Sequence, residues 1–227
     1  MTELWALPRP SLAVVGSDDR FPVRRIYCVG RNYVDHIREM KEGDERDLPF
    51  FFQKPTDSLV ESGDAVPYPP QTADLQYEGE LVAAIGAPGA DVSLSDATSI
   101  VFGYAAGIDL TRRDLQRDAV RASRPWEMGK SFDHSAPCGP ITPAAGVPGI
   151  AAGELELTLN GERRQATRLD LMIWKVPEII HHLSRQYRLE PGDLIYTGTP
   201  AGVGPVRAGD SIVVSITGLA PLEVTVR

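Results

Sequence analysis

Apolar residues recur along this chain in short runs punctuated by glycine, proline and charged turns, the pattern of many brief strands with few helices. Residues 11–15, 26–30, 50–55, 77–86, 101–108 and 193–197 read as strands, and Gly209-Asp210 and Gly218 mark the turns around the last two. The 77–86 run starts polar and turns apolar, so strand alternation points Glu78 and Glu80 to one face. The unbroken apolar run 101–108 would deliver Asp109 at its polar end. Residues 154–162 alternate into Asn160-Gly161, a strong hairpin signal that puts Glu154 and Glu156 on a solvent face without function.

Helical spacing is confined to short stretches. Residues 34–40 place His36 and Glu39 three apart on one face, and residues 110–116 do the same for Arg113 and Gln116. Residues 177–184 form an amphipathic helix with Pro177 in its first turn, whose adjacent His181 and His182 diverge and so do not share a metal. Lys130 is expected in a short loop over 129–134, with His134 a loop residue. The nearly all-charged segment 41–47 cannot bury itself, and a lid would sit there. The glycine-rich stretch 198–205 lacks a Gly-Lys-Ser/Thr ending, so it suits close backbone approach to a ligand better than phosphate cradling.

Composition narrows the picture. The 227 residues suit one substantial core, and the 21 glycines and 19 prolines are spread throughout, as many short strands require. A net charge of −8 argues against nucleic acid as a partner. Cys28 and Cys138 make neither a disulfide framework nor a zinc set, no run is long enough to span a bilayer, and Met1–Pro8 has no signal-peptide pattern. The expectation is a soluble, cytoplasmic protein with no membrane partner.

Glu78, Glu80 and Asp109 offer three hard oxygen donors with no accompanying cysteine or histidine, which suits Mg2+ or Mn2+. Taken alone, Glu-x-Glu on a strand is more often a solvated face. His36 beside Glu39 has the spacing of a general base oriented by a carboxylate, although such spacing alone more often marks a surface pair. Lys54, closing the 50–55 strand, is a carboxylate anchor or a snorkelling surface residue.

Together, Gly30-Arg31-Asn32-Tyr33 with His36 and Glu39, Glu78-Gly79-Glu80 with Asp109, Lys130-Ser131-Phe132, and Thr197-Gly198-Thr199-Pro200 with Gly202-Val203-Gly204-Pro205 resemble the fumarylacetoacetate hydrolase superfamily. The segment 124–137 resembles its small bacterial acylpyruvate hydrolases of the fumarylpyruvate-cleaving type. The resemblance implies a mainly β (α+β) fold, a mixed β-roll with short peripheral helices, over residues 26–227, with residues 1–25 an extension packed on that domain. It implies a metal at Glu78, Glu80 and Asp109, Mg2+ with Mn2+ or Ca2+ as substitutes. A water-activating dyad of His36 and Glu39 on a lid, and Lys130 supporting the developing anion, are implied as catalytic residues. Arg31, Tyr33, Lys54, Arg113, Gln116 and Thr199 are implied to bind substrate, the last three at its oxo-acid end.

The implied reaction is hydrolysis of a carbon–carbon bond in an acylpyruvate, a small anionic 2-oxo acid, with fumarate and pyruvate as products in gentisate-type aromatic breakdown. A homodimer is implied as well. The same metal site also serves oxaloacetate decarboxylation or tautomerisation, or muconate-type isomerisation, and a non-catalytic oxo-acid binder is the third reading. The chain departs from the resemblance at Gln76-Tyr77, where many members of that family carry His-His, a change beside the implied ligands and not in them.

Overall fold

The computed structural model describes residues 4, 7, 9–40 and 47–227. The strongly apolar segments assemble into one curled, mixed sheet of eight strands. Along it run Phe50–Lys54, Arg25–Gly30, Asp193–Tyr196, Gly79–Ile85, Val101–Ile108, Ala136–Cys138 and Leu59–Glu61, with Thr142–Pro143 also paired to Val101–Ile108. Asp193–Tyr196 runs parallel to Arg25–Gly30 and antiparallel to Gly79–Ile85. The second sheet orders Glu162–Arg168, Glu154–Leu159, Ser211–Ile216, Leu222–Val226 and Ala65–Val66.

Strand alternation explains how the two sheets share a core. In Gly79–Ile85 every residue is buried. Leu81, Ala83 and Ile85 join Leu155, Leu157, Ile212 and Val214 of the second sheet, while Val82 and Ala84 join Ile26, Cys28 and Tyr196 on the opposite face. That opposite face also takes Leu12 and Phe21, from a hairpin of Ser11–Ala13 with Arg20–Pro22. The second sheet shows the alternation predicted for it, with Glu154 and Glu156 exposed and Leu155, Leu157 and Leu159 buried. Its Asn160-Gly161 turn has both residues at positive φ, 53° and 80°.

Among the described residues four short helices decorate the sheets: α1 (Val34–Met40), α2 (Arg113–Arg121), α3 (Glu127–Lys130) and α4 (Val176–Ser184). None among the described residues is long and apolar enough to cross a membrane. The result is the expected mainly β roll with peripheral helices. Two local expectations are corrected. The helix expected from residue 110 begins at Arg113, because Thr111–Arg112 is held in a small sheet against Leu75–Tyr77. Lys130 ends α3 instead of standing in a loop, and its side chain is buried. Residues 41–46 of the predicted lid lie outside the described residues.

Candidate active site

Backbone register builds the acidic cluster. Gly79 pairs with Ile108 and Glu80 with Gly107, so one step further the Asp109 N–H donates to Glu78 O at 2.8 Å. Glu78, Glu80 and Asp109 are 5%, 1% and 1% exposed, which rules out the solvated-face reading of the Glu-x-Glu pair. Carboxylate oxygens from the three lie within 4.8 Å of one another.

Basic side chains surround this cluster. Lys130 Nζ donates to Glu78 Oε2 at 2.8 Å, Asp109 Oδ2 at 2.9 Å and Thr111 Oγ1 at 2.7 Å. Arg113 donates to Glu78 Oε1, and its other donors reach Gln76 Oε1 at 2.9 Å and Gln116 Oε1 at 2.6 Å. Gln76 therefore helps aim Arg113 at the Glu78 carboxylate. Lys54 Nζ donates to Leu110 O and Lys130 O and lies 2.8 Å from Asp109 Oδ1.

That compensation is incomplete in a telling way. Asp109 Oδ1 is near enough to Lys54 to pair with it, yet among the described residues no donor is aligned to hydrogen-bond this buried oxygen. Glu80 accepts the Gly198 N–H at 2.7 Å and has no ion pair among the described residues. Burial, then the charges of Asp109 and Glu78, push the Glu80 carboxyl well above its usual range. Burial also pushes Glu78 up, but Lys130, Arg113 and His36 more than reverse it and hold Glu78 below that range. An all-oxygen set with one under-compensated carboxylate and one orphaned oxygen fits a hard divalent ion.

A cavity opens onto this cluster. Glu78, Glu80, Asp109, His36, Arg31, Arg113, Gln116, Lys130 and Thr199 line it, and Val29, Ile37, Met40, Phe52 and Trp126 make its apolar wall. His36 comes from α1 with Nδ1 3.3 Å from Glu39 Oε2, and Glu39 also accepts the Gly202 N–H at 3.1 Å. Burial is the main influence on His36 and lowers its pKa, with Glu78 and Glu39 opposing. That shift favours the neutral imidazole, the form able to accept a proton.

The glycine-rich loop closes the site by backbone approach. At Gly198, φ is +93° and a Cβ would sit 2.6 Å from Asn32 Cβ. Asn32 Nδ2 donates to Thr197 O at 2.7 Å and to Trp174 O at 2.9 Å, which locks the Gly30–Tyr33 turn to this loop. Thr199 Oγ1 donates to Gly79 O and accepts from Gln165 Nε2, both at 2.9 Å.

Two predicted substrate residues do not line the cavity. Lys54 is buried behind Asp109 and braces that carboxylate. Tyr33 is buried in the core, where burial and then Glu80 raise its phenol pKa. Sequence reading missed the supporting roles of Gln76, Thr111 and Gln165, and the placing of Phe52 and Trp126 in the cavity wall. Only their proximity to the recognised motifs was available as a signal.

Comparison with known proteins gives a consistent result. The family model for the fumarylacetoacetate (FAA) hydrolase C-terminal domain matches residues 25–227. A fumarylpyruvate hydrolase from a Ralstonia species is 49% identical over 177 residues, covering 78% of this chain and 92% of the relative. A mitochondrial oxaloacetate tautomerase from Mus musculus is 37% identical over 204 residues, covering 90% of this chain and 92% of the relative. The crystal structure of fumarylpyruvate hydrolase from Pseudomonas aeruginosa in complex with Mn2+ and pyruvate superposes with a TM-score of 0.96 at 49% identity, covering 99% of each chain.

Proposed function

The chain belongs to the fumarylacetoacetate hydrolase family, and from that premise we propose that it is a metal-dependent acylpyruvate hydrolase, cleaving fumarylpyruvate to fumarate and pyruvate. The observation that carries this reading is the opening of the buried Glu78–Glu80–Asp109 cluster into the same cavity as His36. The 49% identical fumarylpyruvate hydrolases support the choice of substrate, and the neighbour crystallised with Mn2+ and pyruvate supports a divalent ion beside a 2-oxo acid.

In this reading Glu78, Glu80 and Asp109 hold Mg2+, for which Mn2+ or Ca2+ substitutes. Bound there, the ion supplies Lewis-acid polarisation of the substrate's oxo-acid end and offsets the negative charge that the departing pyruvate develops. Arg113 and Gln116 orient that end; with Gln116 Oε1 already accepting from Arg113, its amide N–H groups are available to a ligand carboxylate. Thr199 shapes the same end, its hydroxyl being committed to the loop.

His36 takes a proton from water at Nε2, since Nδ1 is turned to Glu39. Glu39 fixes the ring's tautomer and stabilises the imidazolium, and the Gly202 N–H fixes Glu39. Water oxygen bonds to the carbonyl carbon remote from the carboxylate. The carbon–carbon bond to the pyruvate unit then breaks, its electron pair leaving with that unit, which is protonated to pyruvate. Lys130, with its ammonium donors turned to Glu78, Asp109 and Thr111, contributes a fixed positive charge toward the developing oxyanion. The apolar wall of Ile37, Met40, Phe52 and Trp126 keeps this charge chemistry out of bulk water.

A homodimer working in the cytoplasm on products of gentisate-type ring cleavage completes the reading. The second reading is oxaloacetate tautomerisation or decarboxylation, favoured by the 37% identical tautomerase. It uses the same metal site without attack by water. Product analysis with the two substrates separates them: fumarate and pyruvate from fumarylpyruvate support the first, and turnover of oxaloacetate alone selects the second.

A further inference from the structure

The strand Asp193–Tyr196 pairs with Gly79–Ile85 only as far as Val82, and the Thr197 N–H adds one more bond to Leu81 O. Beyond that point the backbone of Gly79, which stands between Glu78 and Glu80, is met by side chains instead of a strand. Its N–H donates to Gln165 Oε1 and its carbonyl accepts from Thr199 Oγ1, both at 2.9 Å. Gln165 Nε2 closes the ring by donating to Thr199 Oγ1 and to Pro200 O, again at 2.9 Å each.

Gln165 reaches this place from the second sheet. It is 1% exposed, in a strand, Glu162–Arg168, whose other residues are exposed or half-buried. Leu157 pairs with Gln165 but Thr158 with Arg163, so Arg164 is an extra residue, a β-bulge, immediately before it. Arg164 O lies against the glycine-rich loop, where a Cβ at Gly202 would sit 2.3 Å from it. A buried position opposite Leu157 would ordinarily take an apolar side chain. Here a side-chain amide is needed, because it offers one acceptor to the Gly79 N–H and two donors to the loop at once.

We propose that Gln165 is a positioning residue that couples the carboxylate cluster to the loop at Thr199–Gly202, so that divalent-metal binding and 2-oxo acid binding depend on one another through its amide. The inference rests on the acylpyruvate reading and adds a residue that touches neither metal nor substrate. Its acceptor end sets the backbone between Glu78 and Glu80, and its donor end sets Thr199, which lines the cavity. The bond from the Gly198 N–H to Glu80 Oε2 ties the same two segments a second time, one residue before Thr199. Second contacts of this kind hold ligand carboxylates at the spacing an ion requires.

The test measures Mn2+ affinity by calorimetry, kcat and KM for fumarylpyruvate at saturating Mn2+, and Tm, in wild type, Gln165→Met and Gln165→Glu. Gln165→Met keeps the length and loses all three hydrogen bonds; Mn2+ affinity is expected to fall about 10–100-fold and KM to rise about tenfold, with a smaller change in kcat. Gln165→Glu keeps an acceptor for Gly79 and loses the donors to the loop, so KM is expected to rise while Mn2+ affinity stays closer to wild type. A folded Gln165→Met with lowered Tm but wild-type affinity and KM shows a structural role alone and overturns the proposal. Should neither variant fold, wild type decides: Mn2+ is expected to slow amide exchange at residues 199–202, which supply no carboxylate to the cluster, and unchanged exchange there overturns the proposal. Wild type that cleaves no fumarylpyruvate overturns the acylpyruvate reading itself and this inference with it.

Discussion

Glu39 is bound at once to His36, with Oε2 3.3 Å from Nδ1, and to the Gly202 N–H, so one carboxylate ties the imidazole on α1 to the glycine-rich loop. Glu39→Gln keeps the shape and loses the charge, and kcat is expected to fall about tenfold or more, with a smaller change in KM. His36→Ala is expected to lose about 10²–10⁴-fold in kcat. Mg2+ titration by calorimetry should show metal still binding in both variants. Unchanged turnover in both would remove the dyad from the mechanism.

The pH profile follows from His36. Burial lowers its pKa, and Glu78 and Glu39 oppose that. The base works in its neutral form, so kcat at saturating Mg2+ is expected to rise with pH through an apparent pKa below about 6.5 and to be level at neutral pH. Because Glu39 raises His36, Glu39→Gln should move the acid limb to still lower pH. A limb that moves upward in the variant contradicts the assignment.

Glu80 is the carboxylate of the cluster whose ionised form costs the metal-free fold most. Its carboxyl is pushed up by burial, Asp109 and Glu78, so the folded state binds its proton more tightly than the unfolded chain does, and stability falls as pH rises above the unfolded value. Metal-free Glu80→Gln is therefore expected to melt roughly 2–4 °C or more above metal-free wild type at pH 8. The variant should also lose the rise in Tm that Mn2+ gives the wild type. A lower Tm than wild type without metal would contradict this account of the cluster.

Gly202 has φ +97°, and a Cβ there would sit 2.3 Å from Arg164 O. Gly202→Ala must move the loop, at a cost of about 1–3 kcal/mol, and with it the N–H that holds Glu39. Thermal unfolding should show the loss, and kcat should fall toward that of Glu39→Gln. A variant with wild-type Tm and kcat would show the loop is not held as described.

Strand parity made much of this site legible. Alternation correctly put Glu78 and Glu80 on one side, and the apolar run 101–108 correctly led to Asp109, because a period of two and a buried strand are local properties. Burial of both glutamates was not legible, since it depends on the register that sets Asp109 beside Glu78 and on charges delivered by Lys130 and Arg113. Lys54 read equally well as a surface residue or an anchor. Its place behind Asp109 comes from pairing of Phe50–Lys54 with Arg25–Gly30 and from packing against α3. The short α3 carries no helical period of its own; it forms where Gly129 lets it close on α2, a Cβ there meeting Gln116 at 2.9 Å. The cavity wall shared by Phe52 and Trp126, with ring centroids 6.1 Å apart, brings together residues too far separated in sequence for any local pattern to join.

The most direct measurement is turnover of fumarylpyruvate by the metal-stripped protein before and after Mg2+ is restored, with the products identified. The account predicts no appreciable cleavage without metal, and stoichiometric fumarate and pyruvate once Mg2+ is added. Equal cleavage in both conditions would contradict the role given to Glu78, Glu80 and Asp109, and no cleavage in either would contradict the acylpyruvate assignment.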